Sequence, residues 1–331
     1  MANNTANTNA TDLLNSNQAQ RGAQEYGRKI NLIVFNTDLG NGVDLSQLHI
    51  KFSCKRSNSM TPNNADIRVY NLDLETALRI KAEFKRVILQ AGYEGNYGVI
   101  FQGNIKQVIL GRESATDTFI DIVAGDGDNA YNFAIVNQTM NSGVKPSDQI
   151  AMLAKTMNDR NVTLGSTPEN LPTSQLPRGK VFYGTTRDYL RTIAMTTGNA
   201  WSIQDEKINF VPLKSYLKGT VVVLTSKTGL IGTPQQTNEG VNMKCLLNPL
   251  ISIGGRVQID NASVEQYKIN LAVPNSPANI PAPLTDDGMY FILVAEHNGD
   301  TRGVDWYTNM ICLRIDPSTN PINSVQIDYG Q

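Results

Sequence analysis

Histidine is scarce in this chain of 331 residues: there are two, His49 and His297. Neither stands in a metal-ligand spacing such as H-E-x-x-H. A G-x-S-x-G nucleophile elbow and a Walker A loop are both missing, which removes the sequence marks of a serine hydrolase and of a P-loop nucleotide enzyme. Cysteine is almost as rare. Cys54, Cys245 and Cys312 are odd in number, far apart and set in apolar, strand-like runs. They read as free buried thiols, not a disulfide framework, and as the mark of a chain made in a reducing cytoplasm. No run approaches the roughly 18 apolar residues of a membrane-spanning helix, so stable membrane insertion is not expected. The start, MANNTANTNATDLLNSNQ, has neither a basic nor an apolar region and does not read as a secretory signal. Charge of either sign is not in excess: 29 basic residues face 30 acidic ones. A broad basic field for nucleic acid is thereby excluded.

What is present is alternation. Asp66 to Ile105 sets the pattern. Ile67 and Val69 alternate with Asp66, Arg68 and Tyr70, the period of a half-buried strand. Leu74, Ala77 and Leu78 follow at helical spacing, with Asp73 placed as cap. Val87, Leu89 and Ala91 line a second strand. Gly92, Gly95 and Gly98 bracket a turn around Tyr93 and Tyr97, and a third strand runs from Val99 towards Leu110. Lys29–Phe35, Leu48–Cys54 and Thr118–Ala124 add further strands, with a hairpin turn over Gly111–Asp117. Together they predict a compact β-barrel or sandwich carrying one helix.

The character then changes. Pro146–Asn158 is helical, with Ser147 as cap and Ile150, Leu153, Ala154 and Met157 as the inward stripe. Thr163–Lys180 carries three prolines and reads as a loop. Thr185–Thr197 is a second helix, with Tyr189, Leu190, Ile193 and Ala194 inward and Gly198 as its stop. Ala200–Gln204 and Lys207–Val211 form a hairpin over Asp205-Glu206. The last part is β again: Val221–Leu224, Val241–Cys245, Val257–Ile259, Tyr267–Ala272, Met289–His297 and Asp305–Ile315. A Pro-rich loop over Asn275–Asp287 and a turn at Asn298-Gly299-Asp300 join them. Residues 1–28 are Asn-, Thr- and Gln-rich and read either as a disordered tail or as an arm that orders against a neighbour, with Leu13 and Leu14 as contact points. The expected division is a flexible arm at 1–28, a β-barrel at 29–136, a small α+β domain at 137–215 and a second β-barrel at 216–331.

No constellation carries chemistry. Asp126-Gly127-Asp128 lacks the EF-hand glycine and closing glutamate and reads as a turn at a strand end. Glu296-His297 beside Asp300 can be drawn as an acid/base cluster, but exposed turn polarity explains it more simply. Gly229 and Gly232 in "GLIG" read as a backbone turn, not a nucleic-acid clamp. Trp201 and Trp306 read as core or interface anchors. The residue reading assigns no catalytic, cofactor-binding or metal residue.

The order of several short motifs is more informative than any one of them. N-A-D-I-R-V-Y-N-L from Asn64, L-Q-A-G-Y-E-G from Leu89, I-F-Q-G-N-I from Ile100 and A-G-D-G-D-N-A-Y from Ala124 resemble the first tube-like domain of phage tail baseplate hub proteins. G-N-A-W-S-I-Q-D from Gly198 fits the same family. So do T-G-L-I-G-T-P from Thr228, G-V-N-M-K-C-L-L-N-P from Gly240 and G-G-R-V-Q-I-D from Gly254. The resemblance covers about residues 29–315. It implies a mainly β fold, with two tail-tube-like β-barrel domains around a small α+β domain. It also implies a homotrimeric, pseudo-sixfold ring between the tail tube and the central spike, with baseplate wedge proteins outside. Tape-measure protein and DNA would occupy its lumen. The place would be the virion tail baseplate, of the contractile type by layout, assembled in the host cytoplasm; no cofactor is implied. Two other classes stay open: a tail-associated glycan hydrolase, which needs two carboxylates across a cleft, and a peripheral host-receptor-binding tail protein. Ring closure would leave apolar groups near Val99–Phe101 and Ile292–Val294 partly exposed in a lone subunit.

Overall fold

The structure, a computed structural model, describes residues 26–36, 42–168, 171–213, 216–217, 221–237, 240–265, 284 and 288–315. The sequence expectations for residues 1–25 of the arm, for Tyr267–Ala272 and for nearly all of the Pro-rich loop lie outside these residues; Arg28, expected in the arm, begins the first strand.

Strands β1 (Arg28–Phe35), β2 (Val43–Asp44), β3 (His49–Ser57) and β4 (Asn64–Tyr70) are followed by helix α1 (Leu74–Glu83). The hairpin β5 (Arg86–Tyr93) and β6 (Asn96–Arg112) leads to β7 (Thr118–Gly125). These strands bury alternate side chains, among them Leu32, Ile50, Ile67, Val87, Leu89, Ile100 and Ile122. Asp73 caps α1 by accepting from the Thr76 N–H at 3.2 Å, a bond that satisfies one of the helix's orphan donors. The helix turns Ala77 and Ile80 inward. Leu74 and Leu78 instead face solvent, a correction to the stripe expected from spacing: Ile80 and Phe84 complete the buried face.

Next come helix α2 (Asp128–Phe133), β8 (Ile135–Met140), helix α3 (Pro146–Asn158), β9 (Thr163–Leu164), β10 (Lys180–Thr185) and helix α4 (Thr186–Thr196). The hairpin β11 (Asn199–Gln204) and β12 (Lys207–Pro212) closes this part. The inward stripe of α3 is Ile150, Leu153, Ala154 and Met157, as its spacing predicts. Its cap is Lys145, not Ser147. Pro146 takes the first helical position, and the Lys145 N–H donates to the Asp148 carboxylate at 3.1 Å. Gly198 stops α4 with φ +69°. α2, β8 and β10 have no counterpart in the sequence reading. β8 and β10 each bury a single side chain, Val136 and Phe182, so no alternation marks them, and α2 buries Ala130 alone. The second core gathers α3, α4 and Trp201, Ile203, Ile208 and Phe210.

The last part holds β13 (Val221–Val223), β14 (Leu230–Gln236), β15 (Val241–Leu246), β16 (Arg256–Gln258), β17 (Met289–Asp300) and β18 (Trp306–Arg314). Its core includes Val241, Met243, Cys245, Val257, Tyr290, Ile292 and Cys312. All three cysteines are buried free thiols. Two expectations change here. Asn298, Gly299 and Asp300 belong to β17, so the chain turns after Asp300 and not over it. The apolar groups expected to be partly exposed are mixed: Ile100, Phe101 and Ile292 are buried, while Val99, Leu293 and Val294 are half-buried.

The fold is mainly β. Its largest sheet is curled and antiparallel along the path β14-β15-β18-β17-β3-β4-β7-β6-β5-β1-β2. The two β-barrel structures are therefore stitched edge to edge inside one chain, through β17 and β3.

Candidate functional site: the seam and the junction beneath it

The seam runs from Val294↔Ser57 to Asp300↔Lys51, seven paired residues in antiparallel register. Such pairing satisfies a row of backbone groups on each strand that would otherwise form an open edge. Side chains reinforce it. Trp306, at the start of β18, is buried in the core of the first β-structure, edge-on to Phe52 at 5.6 Å. Its indole N–H donates to the Gly92 carbonyl at 3.2 Å. The Arg28 guanidinium donates to the carbonyls of Asp300, Gly303 and Val304 and lies over the Trp306 ring. A Cβ on Gly299 would stand 2.3 Å from the Phe52 ring, so the seam needs glycine there.

The histidines serve this seam. His49 Nε2 meets Asp300 Oδ1 at 2.7 Å, and its ring stacks on Tyr70. Asp300 also accepts from the N–H groups of Arg302 and Gly303, and its carboxyl is held below the usual range although partial burial pulls the other way. His297 is not part of an exposed turn. It lies wholly buried in β17, between Cys54 on β3 and Thr308 on β18. Its Nδ1 bonds the Thr308 hydroxyl at 2.9 Å. Burial, and after it the positive charge of Arg56, pushes its pKa down to about 3. The structure thus separates the drawn cluster: Asp300 pairs with His49, while Glu296 accepts from Ser53.

Beneath the seam, a buried polar junction ties in the middle part. Asp205 and Glu206 have φ +53° and +60°, the paired left-handed residues of a two-residue hairpin turn. Their N–H groups both donate to the Asp126 carboxylate, at 2.7 and 2.8 Å. Asp205 pairs with buried Arg56 at 2.6 Å, and Glu206 pairs with Arg86 and accepts from Gln102. Asn63 donates to Gln204 and to the Ile203 carbonyl, while Gln204 donates to the Ser57 carbonyl. Burial raises the carboxyl pKa of Asp126, with Asp205 adding to the effect. Burial likewise raises that of Glu206. The motif at 126–128 is indeed a turn at a strand end, but its first carboxylate is an internal anchor. Among the described residues, no group of three or more His, Cys, Asp or Glu side chains is arranged to hold a metal ion.

Sequence reasoning missed Arg28, Arg56, Asn63, Asp126 and Gln204 as structural ties, because their partners lie far away along the chain. The one available signal was polarity at inward strand positions, as at Arg56 in the alternation of β3. Gly229, with φ +90°, is a backbone turn as read; Gly232, with φ +71°, lies instead within β14, where the register shifts between Ile231 and Gln235. Trp201 and Trp306 are core anchors, 1% and 2% exposed.

On the outer face of the seam lies a groove of about 520 Å³, lined by residues that include Lys51, Arg68, Asp121, Asp300 and Tyr307. Arg68 closes part of it with a two-pronged bond to Asp121, at 2.7 and 2.8 Å.

Known proteins place this architecture. Over 88% of its length the chain is similar to the 43 kDa tail protein of prophage MuSo2 from Shewanella oneidensis, at 9% identity and TM-score 0.56, covering 98% of that chain. A tail protein from Neisseria meningitidis MC58 is similar over 87% of this chain and 97% of its own, at 12% identity and TM-score 0.54. An Escherichia coli component of the type VI secretion system, described as structurally similar to the T4 tail proteins gp27 and gp5, matches 90% of this chain and 76% of its own, at 10% identity and TM-score 0.50. No curated protein sequence matches significantly. At these identities the likeness is one of fold. A family model described as Baseplate hub gp41 matches residues 65–266, more than half of the chain, from within β4 to just past β16. The chain belongs to the Baseplate hub gp41 family of phage tail proteins.

Proposed function

We propose that three copies of this chain form a pseudo-sixfold ring at the tip of a phage tail, between the tube and the central spike, around the channel through which DNA leaves. The observation that carries this reading is the seam: one chain holds two β-barrel structures joined edge to edge in one sheet by β17 and β3. Three such chains supply six units, enough to match a six-membered tube ring on one side and a threefold spike on the other. The domain limits go with it: an arm at 1–28, tube-like barrels at 29–136 and 216–331, and the α+β domain at 137–215 between them.

The partners follow from position. Tube protein packs above, spike protein below and wedge proteins outside, with tape-measure protein and then DNA inside. The layout of two barrels per chain fits a contractile tail, assembled in the host cytoplasm. The chain performs no catalysis in this role. Electron microscopy of particles carrying a labelled copy tests the placement. Label on the tail axis at the tube's end is expected; label on peripheral fibres or along the tube contradicts it.

A further inference from the structure

The middle part carries an open strand edge. β8 and β10 pair only with each other, from Met140↔Lys180 to Ile135↔Thr185. A two-stranded ribbon is marginal alone, and here α3 and α4 support one face through buried Val136 and Phe182. The direction of the free backbone groups is fixed by two independent bonds. The Thr186 N–H donates to the Ala134 carbonyl, which makes Ile135↔Thr185 a pair without mutual hydrogen bonds. The Tyr183 N–H and carbonyl both turn away from β8, to the Tyr189 hydroxyl, so Asn137↔Tyr183 is another such pair. On β8, Ile135, Asn137 and Thr139 therefore point their N–H and C=O groups outward. Among the described residues none of these groups has a partner, and all three residues are exposed.

The two edges differ. That of β10 is blunted by the Tyr189 phenol. That of β8 has no lysine, proline or covering helix, the usual protections of an edge. Beside it the ribbon's outer face is apolar: Ile135, Val181 and Tyr183 are 67%, 64% and 74% exposed, and Phe133 is 62% exposed. The charge at the ribbon's ends is two cations, Lys180 and Arg187, against the one carboxylate of Asp188. Lys180 stands at one end, over the Phe182 ring. Arg187, at the other, is bonded to the Asn132 amide and lies over Tyr131. β8 and β10 contain no acidic residue, and Asp188 is engaged by the Thr185 hydroxyl.

We infer that β8 receives an extended, acidic-apolar segment of a partner protein as a third strand. Backbone groups of Ile135, Asn137 and Thr139 hold it, its apolar side chains lie along the Phe133–Ile135 side of the ribbon, and its carboxylates face Lys180 and Arg187. This surface stands independently of the ring reading, since it concerns the isolated chain.

The test uses the purified full chain and a fluorescent nine-residue peptide alternating glutamate with valine and isoleucine. Saturable binding is expected, weakened at least tenfold when the glutamates are lysines. Asn137→Pro removes only an outward N–H and leaves the β10 pairing intact; it should weaken binding at least tenfold while the melting temperature stays close to that of the parent. Tyr183→Glu should weaken it too. Absence of saturable binding, equal binding by the lysine peptide, or an Asn137→Pro chain that folds and binds as the parent does would each overturn the inference. If Asn137→Pro fails to fold, hydrogen exchange decides. Added peptide must slow the amides of Ile135, Asn137 and Thr139, and unchanged exchange there overturns it.

Discussion

His297 shows how one side chain can set the acid limit of the whole chain. An ordinary histidine titrates near pH 6.5, whereas here burial and Arg56 push the value to about 3. The unfolded chain therefore takes up this proton first as pH falls. Stability from this site is complete above pH 6.5 and drains away between 6.5 and 3, by about 1.4 kcal/mol per pH unit. Asp126 and Glu206 have the opposite sign. Their raised values favour the protonated form in the fold, so their contribution fades as pH rises through the raised values. Comparing parent with His297→Gln isolates the histidine. Thermal melts from pH 7 to 5 should show the parent losing about 2 kcal/mol relative to the variant; parallel curves would contradict the assignment. Asp126 gives a second expectation. Asp126→Ala leaves two turn N–H groups unpaired, at about 1–3 kcal/mol each. For the two groups together, urea unfolding should register a loss of about 2–6 kcal/mol, and a change below about 0.5 kcal/mol would place the turn's anchor elsewhere.

Among the elements, the seam between β17 and β3 is the piece on which the rest depends. Gly299 makes it testable by one methyl group. Its Cβ would collide with Phe52, so Gly299→Ala should cost about 1–3 kcal/mol by overpacking. Hydrogen exchange should localise that loss to β3 and β17; a loss confined to α3 and α4 would contradict it. The elements that the sequence made legible were long or cleanly patterned. α3 and the β5–β6 hairpin are examples, and the alternation of β4 ran true because one of its faces is buried. The seam was not legible. Pairing β17 with β3 joins residues some 240 positions apart, and each strand's pattern is equally satisfied by any neighbour. The inward polar residues Arg56 and His297 broke the alternation, and that break was the only local trace of the junction. His297 looked like turn polarity because Asn298-Gly299 is a common turn dipeptide. Here the glycine serves close packing against Phe52, and the turn comes after Asp300.

For the whole molecule, the decisive property is that the ties between its parts are internal. Three cores meet around Arg56, His297 and the Asp205-Glu206 turn, so each subunit brings two β-structures in a fixed relation to the ring proposed above. A scaffold of this kind needs no turnover. Purified chain on peptidoglycan and host polysaccharides should give no product above a heat-killed control. Product formation abolished by a single carboxylate substitution would instead mark an enzyme. The measurement that bears most directly on the ring is the copy number at the tail tip, from the mass of the released hub and from reconstruction of the intact tip. The account predicts three chains and six β-structures around one axis. One, two or six chains, or three chains whose β-structures do not alternate around the axis, would contradict it.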